Sequence, residues 1–261
     1  MAGVQIRDMQ AEDEYYVATC SHVNESAETD ASGHRRLEWI RSMQPKGMVV
    51  KVAVGDGKPC GFLLAMPGDV CPVIMLAEHE VLVVPCLWVP PGQQKKGIGS
   101  ALLAAAEDYA RANGFKAIAT QGRYNKFWFM PGAFFEKRGY TFVERAGALA
   151  ILWKTFDAAP PSPRLMKPRY EFQPALGKVV VDLFWLPSCL TTDVEAQRVR
   201  EVAAEFGDRV VLNEYRGDDR QTLLRYQNPR AIYVNGRKID WGYAAPREGI
   251  REAIQKAIAE L

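Results

Sequence analysis

Residues 81–89 read Val-Leu-Val-Val-Pro-Cys-Leu-Trp-Val, an apolar run that predicts a buried strand. Pro90, Pro91 and Gly92 end it, and Leu102, Leu103, Ala106 and Tyr109 then recur at helical spacing up to Asn113, with Gly114 as the stop. Upstream, Ile6 to Met9 read as a strand leading into a helix at Glu12-Asp13, and residues 35–43 suit a second helix that ends at Gln44-Pro45-Lys46-Gly47. The runs 49–54 and 59–66 flank Gly55-Asp56-Gly57-Lys58 and predict a hairpin. Residues 116–120 make a strand. The order up to there is β-α-α-β-β-β-α-β, of the α/β (α+β) class.

Five prolines between 157 and 176 are too many for a helix or a central strand, so this stretch reads as a stiff linker between a unit at 1–156 and another at 177–261. In the second unit the pattern is strand (178–185), helix (193–206), strand (209–215), helix (220–227), a hairpin of 231–234 and 238–243 around Asn235-Gly236, and a closing helix (247–261). That is a compact βαβαββα arrangement.

The glycines after residue 89 stand where a helix begins. Its first N–H groups have no intrahelical acceptor and the macrodipole is positive there, so an anion can accept several bonds from the main chain of residues 94–100. Gly97 and Gly99 let phosphate oxygens come close. The dipole contributes only about 0.3–2 kcal/mol, so directed N–H bonds and the lysines Lys95 and Lys96 must carry most of the affinity. A dinucleotide fingerprint needs a third glycine beyond Ser100, and a P-loop needs Lys-Ser/Thr after its second glycine. Neither is present.

Gln94-x-x-Gly97-x-Gly99, five residues after the strand-end Val89, resembles the acetyl-CoA loop of the GNAT superfamily of N-acetyltransferases. Residues 133–142, where a helix ends on Gly139 before an aromatic strand, resemble that family's late helix and final strand, and the likeness extends over most of 1–156. It implies a mixed-sheet fold, acetyl-CoA as co-substrate, and direct transfer of an acetyl group to an amine of a small molecule or peptide. It further implies that Leu87, Trp88 and Val89 lie along the pantetheine and polarise the thioester. Gln94, Lys95, Lys96, Gly97, Ile98, Gly99 and Ser100 would then hold the pyrophosphate.

An alkylamine of pKa about 10.4 is unprotonated only about once in 2,500 molecules at pH 7, a penalty of roughly 4.6 kcal/mol, so a base or a weakly basic substrate is needed. Glu80, with Glu78 and His79 beside it, stands as proton relay or as a solvated strand mouth. His22, Asn24 and Glu25 are the chosen substrate contacts; His22 and Glu25 can equally be read as a helix cap. The tyrosine many relatives use as general acid aligns with Phe135, which cannot donate a proton, and their asparagine falls on Met130. Tyr124 is the nearest other hydroxyl, unless the thiolate leaves unaided. Phe127, Trp128, Phe129, Phe134 and Phe135 read as an apolar acceptor wall or as core.

Residues 184–192 (Phe-Trp-Leu-Pro-Ser-Cys-Leu-Thr-Thr) resemble the redox turn of thioredoxin-like proteins, and residues 228–236 their proline-containing return strand. The fusion is similar to YoaP-like acetyltransferases. Cys189 takes the place of the attacking cysteine and Thr192 that of the resolving one, which argues against a dithiol cycle. The helix start behind Cys189 favours thiolate and marks it as a reactive monothiol. An alternative reading makes the chain a thioredoxin-like thiol-binding protein with a CoA-sensing domain.

The formal net charge of +2 gives no pull toward nucleic acid, and no apolar run is long enough for a membrane span. With no signal peptide evident, a cytoplasmic protein is expected. Five cysteines without ligand spacing argue against a disulfide framework and against a metal site. A homodimer is left open.

Overall fold

The computed structural model describes residues 3–126, 129–156, 158–239 and 245–261. In the first unit β1 (Val4–Asp8), α1 (Glu14–Ala18), α2 (Ala27–Met43), β2 (Val49–Gly55), β3 (Lys58–Pro67), β4 (Met75–Leu76) and β5 (Val81–Trp88) precede α3 (Ile98–Ala112). Then come β6 (Ala117–Arg123), α4 (Gly132–Glu136), β7 (Thr141–Ala146) and β8 (Leu149–Thr155). Seven strands form one sheet in the order β1-β2-β3-β5-β6-β8-β7, antiparallel except for β5 and β6. This is a mixed α/β fold with the mixed sheet of the GNAT layout. Alternation along the strands divides the core: Phe62, Leu64, Val81 and Val83 meet Trp39, Ile40 and Met43 of α2, whereas Leu63, Leu82 and Val84 meet Leu102, Leu103 and Ala106 of α3.

Two expectations are corrected. Helix α2 begins eight residues before the predicted start, capped by the Ser26 hydroxyl on the Thr29 amide. Strand β8 did not figure in the reading at all, yet it lies between β6 and β7.

Short contacts position α4. A Cβ on Gly122 of β6 would lie 2.9 Å from Gly132 Cα and 2.3 Å from a Leu152 methyl. Gly122→Ala should therefore push α4 off the sheet and cost about 1–3 kcal/mol, toward the upper end because one neighbour is backbone. A urea midpoint unchanged from wild type would contradict this.

Past residue 158, β9 (Arg164–Leu165) pairs with β4, and Tyr170 stacks on Tyr233 with ring centroids 3.8 Å apart. The stretch read as a spacer is thus tied down on both sides. Beyond it lie β10 (Val179–Trp185), α5 (Leu190–Ala204), β11 (Val210–Arg216), α6 (Arg220–Tyr226), β12 (Ala231–Val234), β13 (Arg237–Ile239) and α7 (Arg247–Ala259). They form a four-stranded sheet in the order β11-β10-β12-β13, with β10 parallel to β11 and antiparallel to β12. Asn235 and Gly236 both have positive φ, as the hairpin turn requires. The predicted continuation of the hairpin over 240–243 lies outside the described residues.

Helix α2 packs on α5, joining the units. Arg35 grips the buried Asp193 through Nε and Nη2, and Arg198 grips Glu28, which Arg247 also contacts. Arg198, first, and Arg247 hold the Glu28 carboxyl below its ordinary 4.5. Because the folded value is the lower one, this contribution is complete above 4.5 and is lost as pH falls through the folded value. The stability difference between wild type and Glu28→Gln should accordingly be present near neutral pH and vanish in strong acid, which denaturant titrations at the two pH values would check.

Candidate active site

The ladder between β5 and β6 runs from Val81↔Ala117 to Val84↔Thr120 and stops, although both strands continue. Pro85 comes next and has no N–H to give to a ladder. On its other side β5 stays paired with β3, through a register shift that sets Leu64 against Cys86 and Met66 against Val83. The strands therefore part, and the main chain of 86–88 presents an open edge.

The gap leads into a cleft of about 550 Å³ whose walls include Leu87, Trp88, Val89, Gln94, Lys95, Gly97, Ile98, Gly99 and Ser100. Lys95 (φ 61°) and Gly97 (φ 82°) are left-handed, which curls the loop around its own amides. Gln94 Nε2 donates to the Val89 carbonyl at 2.9 Å and closes the curl. Among the described residues, the N–H groups of residues 95–100 donate to no backbone carbonyl; the first that does is Ala101, to Gly97. Six consecutive free amides at the start of a fifteen-residue helix make an anion cradle. Lys96 is not in the cleft wall, and its Nζ bonds Gln93 Oε1 at 3.0 Å.

Sequence reasoning missed Arg138. It stacks over Phe134 at 3.7 Å and bonds Ser100 Oγ from Nε at 3.0 Å, so it brings a cation to the rim of the cradle. Its signal was in plain sight, since residues 134 and 138 lie four apart in the predicted helix, although α4 itself ends at Glu136.

Residues 6–128 match the sequence profile of the Acetyltransferase (GNAT) family. This stretch is a GNAT N-acetyltransferase domain. No curated protein matches the chain. Among solved structures it is similar to the PaiA N-acetyltransferase of Thermoplasma acidophilum in complex with coenzyme A, at 18% identity and a TM-score of 0.43 over 59% of this chain and 99% of that one. A GNAT family acetyltransferase of Brucella melitensis in complex with acetyl-CoA is 16% identical, with a TM-score of 0.43 over 63% and 96% of the two chains. A ribosomal-protein-alanine N-acetyltransferase from Brucella melitensis is 18% identical, with a TM-score of 0.45 over 58% and 99%.

Two of the chosen catalytic residues lie elsewhere. Glu80 pairs with Lys116 at the opposite end of β5 from Trp88, roughly 25 Å away at the rise of a strand. His79, beside it, faces Asp69 at 3.0 Å. Tyr124 is outside the cleft wall: its ring stacks on Phe142 at 5.1 Å under Arg145, and burial pushes its hydroxyl up to about 12. Phe135 is fully buried, and Phe127 and Trp128 lie outside the described residues.

The acceptor-side choices stand together. His22 Nδ1 contacts Glu25, Asn24 is left-handed, and the helix cap belongs to Ser26 instead. Trp88 Nε1 donates to Ser21 Oγ at 2.9 Å, which ties this loop to the open end of β5. Cys189 sits at the N-cap of α5, half-buried, its sulfur 3.2 Å from Thr191 Oγ1. Among the described residues no helix is long and apolar enough to cross a membrane.

Proposed function

We propose that the chain transfers an acetyl group from acetyl-CoA directly to an amine of a small molecule or peptide. The cradle of free amides at 95–100, opening beside the parted ends of β5 and β6, is the observation that carries this reading. The pyrophosphate accepts N–H bonds there, with Lys95 and Arg138 adding charge. The pantetheine then runs along 87–89, where a main-chain N–H meets the thioester oxygen as negative charge develops on it. The amine enters past His22, Asn24 and Glu25, and CoA leaves as thiolate, since the one hydroxyl among the described cleft-lining residues, that of Ser100, stands at the helix start and accepts from Arg138.

The second unit is read as thioredoxin-like, in a YoaP-like fusion. Its strand order, with one parallel and two antiparallel neighbours, and the cysteine at the N-cap of α5 support that reading. The test is release of CoA thiol from acetyl-CoA across a panel of amines. A bound acetyl-CoA that stabilises the protein yet yields thiol with no amine would end the transferase reading.

A further inference from the structure

Three sulfurs that lie far apart in sequence meet where the units join. Cys20 ends the turn after α1, Cys86 lies at the open end of β5, and Cys189 caps α5; all three are half-buried. Arg36 of α2 stands among them, 1% exposed. Its Nη1 reaches Cys20 Sγ at 3.1 Å and its Nε donates to the Ser188 carbonyl at 2.8 Å, so one planar guanidinium spans the Cys20 sulfur and the residue before Cys189. On the other side of Cys189, the Leu190 carbonyl accepts from Ser32 Oγ, also of α2. Cys189 is thus bracketed by two bonds from the first unit. The Cys20 and Cys189 thiols are near enough to feel each other's charge.

Two further features mark Cys20. It and Ser21 are consecutive non-glycine residues in the left-handed region, at φ 51° and 68°, so the turn is held against its local preference. Among the described residues, moreover, no carboxylate pairs with Arg36; around the buried cation stand the carbonyls of Val17, Ala18 and Ser188, the Cys20 sulfur and, at 5.9 Å, the Phe62 ring. Burial, first, pushes the Cys20 thiol up, and the Arg36 guanidinium opposes that rise. Thr192, which holds the position of a resolving cysteine in the turn, bonds the Leu186 and Cys189 carbonyls instead.

We propose that Cys20 and Cys189 form a two-cysteine redox site across the domain boundary, in which Cys20 supplies from the acetyltransferase unit the resolving thiol that the α5 turn lacks. The oxidant is a hydroperoxide. The Cys189 sulfur attacks its O–O bond, takes one oxygen as sulfenic acid and releases water or the alcohol. The Cys20 thiolate then displaces that hydroxyl, which leaves as a second water on gaining a proton, and an S–S bond joins the units. Overall, two thiols and one hydroperoxide give one disulfide, one water and one further water or alcohol. A dithiol reductant reverses it. Arg36 is a positioning residue for Cys20.

This inference stands apart from the acetyl-transfer reading, because mass alone reads it. Full-length protein is treated with hydrogen peroxide, its remaining thiols are blocked, and the monomeric fraction is mapped by peptide mass spectrometry. The expected result is a peptide pair linked through Cys20 and Cys189 in most molecules, two hydrogens lighter than the reduced pair and separated by dithiothreitol. The link should be lost in Cys20→Ser and Cys189→Ser and kept in Cys86→Ser. Should a variant not fold, wild type decides alone. Free Cys20 after oxidation, a Cys20–Cys86 link, or links found only between chains would overturn the proposal.

Discussion

Gly97→Glu should abolish the thermal stabilisation that acetyl-CoA gives. A ligand present at 100 times its dissociation constant raises stability by about 2.7 kcal/mol, and that whole increment should disappear. Two effects act at once. Gly97 is left-handed (φ 82°, ψ −6°), where a residue with a Cβ costs roughly 1–2 kcal/mol. The new carboxylate also enters a cradle whose free amides at 95–100 are laid out for an anion, and it either occupies them or repels the pyrophosphate. Gly97→Ala separates the two, since it carries the strain without the charge and should keep a reduced shift. A glutamate variant stabilised by acetyl-CoA as strongly as wild type would move the cofactor away from this loop.

The cradle was legible in sequence because it depends on local rules, namely an apolar strand, a turn and two glycines at a helix start. The parting of the strands was equally local, written in Pro85, but the proline was read as one more apolar residue. Glu80 illustrates a different difficulty. It is near the apolar strand in sequence, yet a strand has two ends, and only the one that opens away from β6 borders the cleft.

The first half of α2 was invisible for a reason rooted in packing. Its buried positions there are Ser32, Gly33 and Arg36, because the surface they meet is polar backbone of the α5 turn and the end of α1. Gly33 allows that approach, since a Cβ would lie 2.7 Å from a Thr19 methyl. Hydrophobic periodicity registers helices that bury aliphatic faces, and it passes over one that buries hydrogen-bonding groups. Cys189 was noticed for its own turn; its neighbours come from α2, about 150 positions away in the chain, a distance that only the fold can close.

The same arrangement predicts that Arg36→Ala will cost about 3–5 kcal/mol. The guanidinium donates to the carbonyls of Val17, Ala18 and Ser188, and its removal leaves them without that donor in a site that is 1% exposed. The cavity adds to the loss, as in other large-to-small substitutions of buried side chains. One effect opposes both, because the wild type keeps a buried cation without a carboxylate and losing it recovers desolvation energy. Arg36→Met separates out the cavity, as it fills the space while removing charge and donors just as the alanine variant does. It should be less destabilised than the alanine variant by the cavity contribution alone. For a chain of this size each 1 kcal/mol lowers Tm by about 2–4 °C, so the alanine variant should melt about 6–20 °C below wild type. Since Arg36 is one of the side chains joining α2 to the α5 turn, calorimetry should also show the two units melting as separate transitions. An alanine variant that melts with wild type in one transition would mean that water replaces the guanidinium at little cost, and that Arg35–Asp193 and Arg198–Glu28 hold the interface without it.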